Sequence, residues 1–166
     1  MTRKALVRRM AGLGQFHWFF GNLYEAAVDV PRLLADAAPN REPGLLTAGS
    51  PLRYYGPAAP VALAATTAAL TSNWREGGDR RAVVAAAAGT ATALALTAHL
   101  VRAVNLRLLR GGAPLTEAQL TDLGRHWHRA NAVRLAALAV AMGALRRSAP
   151  LGPAGQEWRN GSGIHQ

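Results

Sequence analysis

Polar and charged side chains interrupt two of the most apolar regions of this chain, and their types and spacing could support chemistry. The first region contains four of them at spacings of four, three and four residues, which place them on one helix face. They are Trp18, Asn22, Glu25 and Asp29. The second region repeats the pattern with Trp127, Asn131 and Arg134, and His128 lies beside that face. Since an unpaired charge in an apolar interior is costly, we expect Glu25 and Arg134 to form a buried ion pair.

Such a pair is suited to proton transfer from a weakly acidic organic molecule. Glu25 would accept a proton from a phenol or an activated C–H bond, and Arg134 with Asn131 would stabilise the anion that forms. These three residues are therefore the candidate catalytic residues. The candidate substrate-binding residues are Trp18, Asn22, Asn105, Trp127 and His128. The alternative is a purely structural role, in which the ion pair only fixes helix register and the asparagines only join neighbouring helices.

Metal chemistry has little support in the sequence. The chain has no cysteine, which excludes disulfides, cysteine zinc sites and a thiolate nucleophile. His17 and His99 are the alternative ligands if an iron, copper or haem is bound, but two lone histidines on different helices are more often packing residues. His126 and His128 are two residues apart, so they point to different sides of a helix. No phosphate-binding or dinucleotide-binding glycine motif is present.

The elements that carry these residues are predicted to be membrane-spanning helices. The mean hydropathy is only +0.04, but the charges are distributed unevenly. Asp, Glu, Lys and Arg are all absent from the 21 residues 54–74 and from the 20 residues 82–101. About 20 apolar residues suffice for one helix to cross a bilayer. The sequence therefore predicts an all-α, integral membrane four-helix bundle in the cell membrane. Its spans are about 10–34, 57–74, 82–109 and 124–146, within a domain of residues 1–148.

Local signals add detail to this prediction. Pro31 predicts a bend or an end of the first helix, and Thr116 with Gln119 predicts a capping box at the start of the fourth. The row Ala85, Gly89 and Ala93 predicts close packing of the third span against another helix. Residues 36–56 are rich in turn formers and predict a loop, in which Tyr54 and Tyr55 would mark the headgroup level. The tail, residues 149–166, is predicted to be disordered.

The charge balance fits a membrane protein better than a nucleic-acid binder. Nineteen Lys and Arg against nine Asp and Glu give a net charge of +10. These bases flank the apolar spans and do not form one basic stripe, so no nucleic-acid partner is expected. Lysine and arginine are more numerous on one side of the predicted bundle than on the other. The richer side comprises the N-terminus, the loop that joins the second and third spans, and the segment after the fourth span. By the positive-inside rule, both termini are cytoplasmic.

Three segments resemble the small four-helix membrane proteins of the anthrone oxygenase-like family. They read FFGNLYEAAVDVP, AVNLRLL and RHWHRANAVRL, within about residues 10–146. The matching positions are Asn105, Leu106, Trp127, Ala132 and Arg134. Where the family has a histidine this chain has Asn131, so a role of that histidine does not transfer. The resemblance implies an enzyme that oxygenates reactive polycyclic phenols such as anthrones, without a classical bound cofactor beyond dioxygen.

Two functions from different classes follow. The first is a membrane-embedded oxygenase, a monooxygenase-type oxidoreductase that acts on a lipophilic, electron-rich, polyketide-like or phenol-like small molecule in secondary metabolism. Its partners would be that substrate and membrane lipid. The second is a non-catalytic membrane assembly or carrier accessory protein, in which the polar residues only hold the helices together. Substrate turnover by the purified protein in detergent would separate the two.

Overall fold

The computed structural model describes residues 2–37, 53, 55–109 and 115–150 of the chain, and every regular element in these ranges is helical. The helices are α1 (Arg3–Ala27), α2 (Val30–Ala37), α3 (Ala58–Arg75), α4 (Arg80–Leu100), a π-helical turn (Val101–Asn105), α5 (Leu106–Leu109) and α6 (Glu117–Arg147). The all-α prediction is therefore confirmed. Most of the predicted 36–56 loop and nearly all of the predicted disordered tail lie outside the described residues.

The long helices form a bundle in which α1 packs along α3 and α4 packs along α6, while α1 also contacts α6. Glycines allow the closest approaches. A Cβ atom at Gly14 would lie 2.6 Å from Cβ of Ala62 in α3, and one at Gly89 would lie 2.7 Å from the carbonyl oxygen of Ala137 in α6. Ala93 is fully buried on the same face as Gly89. The predicted close packing through the small residues of the third span is thus confirmed.

Helix ends follow the local signals of the sequence. The Thr116 hydroxyl accepts a hydrogen bond from the backbone N–H of Gln119 at 3.3 Å, and the Gln119 side chain accepts one from the backbone N–H of Thr116 at 3.0 Å. The predicted capping box is therefore present. The first predicted span, residues 10–34, is divided into α1 and α2. Asp29 takes a left-handed conformation (φ 50°) between them, and Pro31 lies in the first turn of α2, where its missing N–H costs nothing.

One helical stretch in the described ranges, Arg80–Leu108, is long and apolar enough by length and composition to cross a membrane. The other three predicted spans do not meet this criterion. The physical reason differs between them. Polar and charged side chains interrupt α1 and α6, whereas the 18 residues of α3 leave no apolar window free of its polar last turn, residues 72–75. Multi-pass membrane localisation therefore does not follow from helix hydropathy alone.

The bundle has an unusual distribution of polar and apolar side chains. Within the described ranges, nine polar or charged residues are buried. They are Gln15, Asn22, Thr66, Asn73, Thr90, Asn105, Asn131, Arg134 and Ser148. Large apolar side chains meanwhile lie on the outside, among them Leu13, Phe16, Phe20, Val61, Val84, Leu94, Val133 and Val140. Fourteen apolar residues of the described ranges are buried as well, so the informative features are the many buried polar groups and the large apolar side chains that share the outer surface.

Candidate functional site

An apolar cavity of about 120 Å³ lies between α1, α3 and α4, and Arg134 of α6 forms part of its wall. Five of the predicted site residues line it, together with His17. They are Trp18, Asn22, Glu25, Asn105 and Arg134. Small side chains of α3, including Ala58, Ala59 and Ala62, form much of the remaining wall. Because α3 presents methyl groups where larger side chains would fill the space, the helix spacing leaves room for a ligand.

The predicted ion pair is present at this cavity. Nη2 of Arg134 lies 3.4 Å from Oε2 of Glu25, and the two side chains are only 5% and 13% exposed. The prediction that α1 and α6 bring these two charges within salt-bridge reach is confirmed. Burial to this degree requires each charge to have its partner, since removing either one would leave the other uncompensated in an apolar interior.

Asn131 holds the guanidinium in place without lining the cavity. Its Oδ1 accepts hydrogen bonds from Nε and Nη2 of Arg134 at 3.0 and 2.6 Å. Its Nδ2 donates to the backbone carbonyl of Asn22 at 3.1 Å, which ties α6 to α1. Nη1 of Arg134 donates to the hydroxyl of Thr97 on α4 at 3.4 Å. Asn131 is therefore a positioning residue for Arg134, and the planar guanidinium is oriented by contacts from three helices.

Tyr55, for which the sequence pattern predicts a position at the headgroup level, lines the cavity. Its side chain forms a hydrogen bond with that of Glu25, and its ring lies 5.9 Å from the ring of His17. The tyrosine fits because α1 has a glycine opposite it. A Cβ atom at Gly21 would lie 2.9 Å from Cε1 of Tyr55. A glycine four residues before Glu25, on the polar face of α1, is the sequence signal that could have indicated a bulky neighbour there.

Asn105 lies at the last position of the π-helical turn and lines the cavity. Its side chain is 9% exposed, and its Oδ1 is buried without a hydrogen-bond partner among the described residues. Short π-helical segments occur mostly as bulges in α-helices and are frequent at functional sites. A buried acceptor without a partner costs free energy unless a ligand or water satisfies it. The predicted substrate-binding residue Asn105 thus lines the cavity, and its inaccessible Oδ1 would reach a ligand only after the side chain rotates.

Two other predicted substrate-binding residues lie outside the cavity. Trp127 is 1% exposed and packs with Leu34, Leu100 and Val104 in an apolar cluster under α2. Nε2 of His128 lies 3.2 Å from Oδ1 of Asp29 at the α1–α2 break. Both stabilise the end of the bundle near the cavity. The division of the first span explains their placement, because α2 returns over α6 and covers this end of the helix.

The histidines do not form the metal pair considered from the sequence. Nε2 of His99 lies 2.9 Å from Nε2 of His126, whereas His17 lines the cavity. His126 and His128 point to different neighbours, as their spacing predicts. Within the described ranges, no group of three or more His, Cys, Asp or Glu side chains is arranged to hold a metal ion.

A carboxylate and an oriented guanidinium at an apolar cavity can deprotonate a weak acid and bind the resulting anion. The Tyr55 side chain, bonded to Glu25, and the Asn105 amide also line this cavity. No protein-family model, curated protein or solved structure matches this chain.

Proposed function

We propose that this chain is a multi-pass membrane protein that oxygenates a lipophilic, electron-rich, phenol-like small molecule with dioxygen. The observation that carries the proposal is the buried Glu25–Arg134 pair at the wall of an otherwise apolar cavity. An apolar cavity with few, converging polar groups is the usual form of a small-molecule site. The anthrone oxygenase-like resemblance of the sequence supports the same substrate class.

Membrane placement is supported by the distribution of side chains over the whole bundle. Lipid solvates the exposed leucine, phenylalanine and valine side chains, whereas water would not. The buried amides, hydroxyls and charges then face one another, as polar groups do within membrane proteins. Arg134 lies ~20 Å along α6 from Arg147, at about 1.5 Å per residue, so the ion pair would be well inside a hydrocarbon core of about 30 Å.

The proposed reaction begins with proton transfer to Glu25. The carboxylate takes a proton from the acidic methylene of the substrate, and Arg134 stabilises the anion. The anion reduces dioxygen and forms a C–O bond to it, which gives a peroxide anion. That anion takes back the proton from Glu25, and loss of water from the hydroperoxide leaves a ketone. One substrate and one dioxygen yield one ketone and one water, so no other reductant is consumed.

The cavity size limits which part of the substrate is enclosed. Its volume of about 120 Å³ is close to that of an engineered apolar cavity of ~150 Å³ that holds benzene. It therefore accommodates one aromatic ring. The substrate would insert its reactive ring beside Glu25, and its other rings would remain outside this cavity.

The non-catalytic function has one specific observation in its favour. Every nitrogen of the Arg134 guanidinium already has a partner within the bundle, namely Asn131, Thr97 or Glu25. A pair that only fixes helix register would look the same in this respect. The π-helical turn that places Asn105 at the same cavity favours the ligand-binding function, since such turns are frequent at functional sites.

The test is dioxygen consumption by the purified chain in detergent, with anthrones and simpler activated phenols as substrates. We expect protein-dependent oxygen uptake in a one-to-one ratio with ketone formation, without added reductant. Mass spectrometry of the product should show one oxygen atom from ¹⁸O-labelled dioxygen. Absence of turnover with every substrate of this class, by protein that remains folded, would contradict the proposed function and favour an assembly role.

A further inference from the structure

A second, larger concavity lies at the opposite end of the bundle from the candidate site. This groove, of about 520 Å³, runs between the first half of α1 and the last turns of α6. Arginines and apolar side chains form most of its lining, together with the polar residues Gln15 and Asn73. The arginines are Arg8, Arg9 and Arg146, and the apolar residues include Leu13, Phe16, Met142 and Leu145. Among the described residues no acidic side chain lines it, but Arg8 is ion-paired with Glu76 beside it at 2.9 Å, which leaves Arg9 and Arg146 as the arginines proposed to hold an anion.

We propose that this groove binds one anionic phospholipid, with an acyl chain between α1 and α6 and the phosphate at the arginines. The proposal shares only the membrane placement with the proposed function and does not involve Glu25. An anionic phospholipid has a charged phosphate and apolar acyl chains. The groove has arginines that could bind the phosphate and apolar side chains that could contact an acyl chain. Basic pockets between membrane helices on the cytoplasmic side are typical sites for anionic headgroups, and the positive-inside rule places these arginines on that side.

The groove floor contains a polar group that also lacks a partner. Gln15 is 2% exposed, and its Nε2 donates hydrogen bonds to Thr90 at 3.1 Å and to Thr66 at 3.4 Å. Its Oε1 is buried with no hydrogen-bond partner among the described residues. Gln15 therefore adds one polar residue to the groove lining, and the lipid proposal rests on the arginines and the apolar side chains.

The charge arm of the test uses native mass spectrometry of the full chain in detergent. The sample contains equal amounts of phosphatidylglycerol and phosphatidylcholine with identical acyl chains. We expect preferential retention of phosphatidylglycerol, and we expect Arg146→Gln to reduce that preference about fivefold, the scale of one basic residue near an anionic lipid. The matched control is Arg147→Gln, the adjacent exposed arginine that does not line the groove. Equal retention of both lipids by the wild type, or an equal effect of the two substitutions, would overturn the proposal.

The acyl-chain arm uses two glycines with open space around them. A Cβ atom at Gly12, which lines the groove, or at Gly143, which does not, meets nothing within 4 Å. Gly12→Leu should fill the groove and reduce phosphatidylglycerol retention at least about fivefold, while Gly143→Leu should leave it unchanged. Retention that survives Gly12→Leu, or displacement of the lipid by millimolar glycerol phosphate alone, would show a headgroup-only site and overturn the proposal. If Gly12→Leu does not fold, the charge arm decides.

Discussion

Three asparagines near the candidate site show how one residue type serves three purposes. Asn22 turns its Nδ2 back to the carbonyl of Trp18 on its own helix at 2.5 Å. Asn131 orients Arg134, and Asn105 lines the cavity with an Oδ1 that is buried and has no hydrogen-bond partner among the described residues. The sequence predicts that all three are polar groups within apolar helices. It does not predict their partners, because a side chain's hydrogen bonds depend on how neighbouring helices are rotated and spaced.

Replacement of Asn105 by leucine should separate binding from folding. Leucine has a similar volume and removes an unsatisfied buried acceptor, so the melting temperature in detergent should be unchanged or higher. The KM for a hydroxylated substrate should rise about tenfold, the value of one hydrogen bond of about 1.5 kcal/mol. Steady-state kinetics and thermal melts measure the two effects.

Asn131→Leu is the matched control for this substitution. It removes three hydrogen bonds that hold Arg134 and join α6 to α1, so its melting temperature should fall. If Asn105→Leu destabilises the protein as much as Asn131→Leu does, the Asn105 amide is a structural group and not a ligand-binding one.

At the scale of the helices, short-range signals predicted the ends and contacts better than they predicted the turns between them. The capping box at Thr116 and the close packing at Gly89 followed from local patterns. The division of the first span at Asp29 was only indicated by Pro31, and the π-helical turn that ends at Asn105 left no signal. One extra residue in a helical turn changes few local contacts, so the sequence pattern does not reveal it.

Gly89→Ala should weaken the contact between α4 and α6. Its Cβ would lie 2.7 Å from the carbonyl oxygen of Ala137, which is part of a helix backbone and cannot move aside cheaply. Overpacking of this kind costs about 1–3 kcal/mol, so thermal melts in detergent should shift downward. Gly143→Ala on α6 is the control, because its Cβ meets open space and alanine favours a helix. An unchanged melting temperature for Gly89→Ala would contradict the close packing.

Glu76 joins the ends of α1 and α3 and makes the stability of the bundle depend on pH. Ser72 donates to its Oε1 at 2.6 Å, Lys4 lies 2.9 Å from Oε1, and Arg8 lies 2.9 Å from Oε2. The hydrogen bond from Ser72, followed by the contacts with Lys4 and Arg8, lowers the pKa of Glu76 from its usual 4.5 to about 2. A lowered pKa means that the folded state favours the ionised carboxylate.

The stability that Glu76 contributes should therefore be complete above pH 4.5 and disappear as the pH falls to about 2. Denaturant or thermal unfolding of the wild type and of Glu76→Gln, measured from pH 7 to pH 2, checks this expectation. The wild type should be the more stable protein at pH 7, and the two curves should converge at the acidic end. A constant difference across that range would show that the carboxylate does not titrate with folding.

At the scale of the whole molecule, the sequence predicted a helical bundle with its first and last helices in contact. Helix length and charge distribution were sufficient to predict this contact, because the polar faces of the first and last helices each need a polar partner. They were insufficient to identify four spans by hydropathy, since Arg80–Leu108 alone among the described helices meets that criterion. The burial of polar groups and the exposure of apolar ones became visible only after the helices were packed.

Membrane integration predicts that the chain stays in the membrane pellet after an alkaline carbonate wash, which removes peripheral proteins. The exposed phenylalanine, leucine and valine side chains would lose their lipid contacts in water, so extraction should require detergent. Recovery of a soluble monomer without detergent would contradict membrane placement and leave a water-soluble, alanine-rich bundle.

In the proposed reaction Glu25 is the proton acceptor at the cavity. The most direct test of this role is the rate of dioxygen consumption by Glu25→Gln, which keeps the shape of the side chain and its capacity to bond Arg134. Turnover should fall at least ~10²-fold, the scale of a general base, while the protein still accumulates in membranes and melts cooperatively. Full activity of the folded Glu25→Gln protein would contradict the claim.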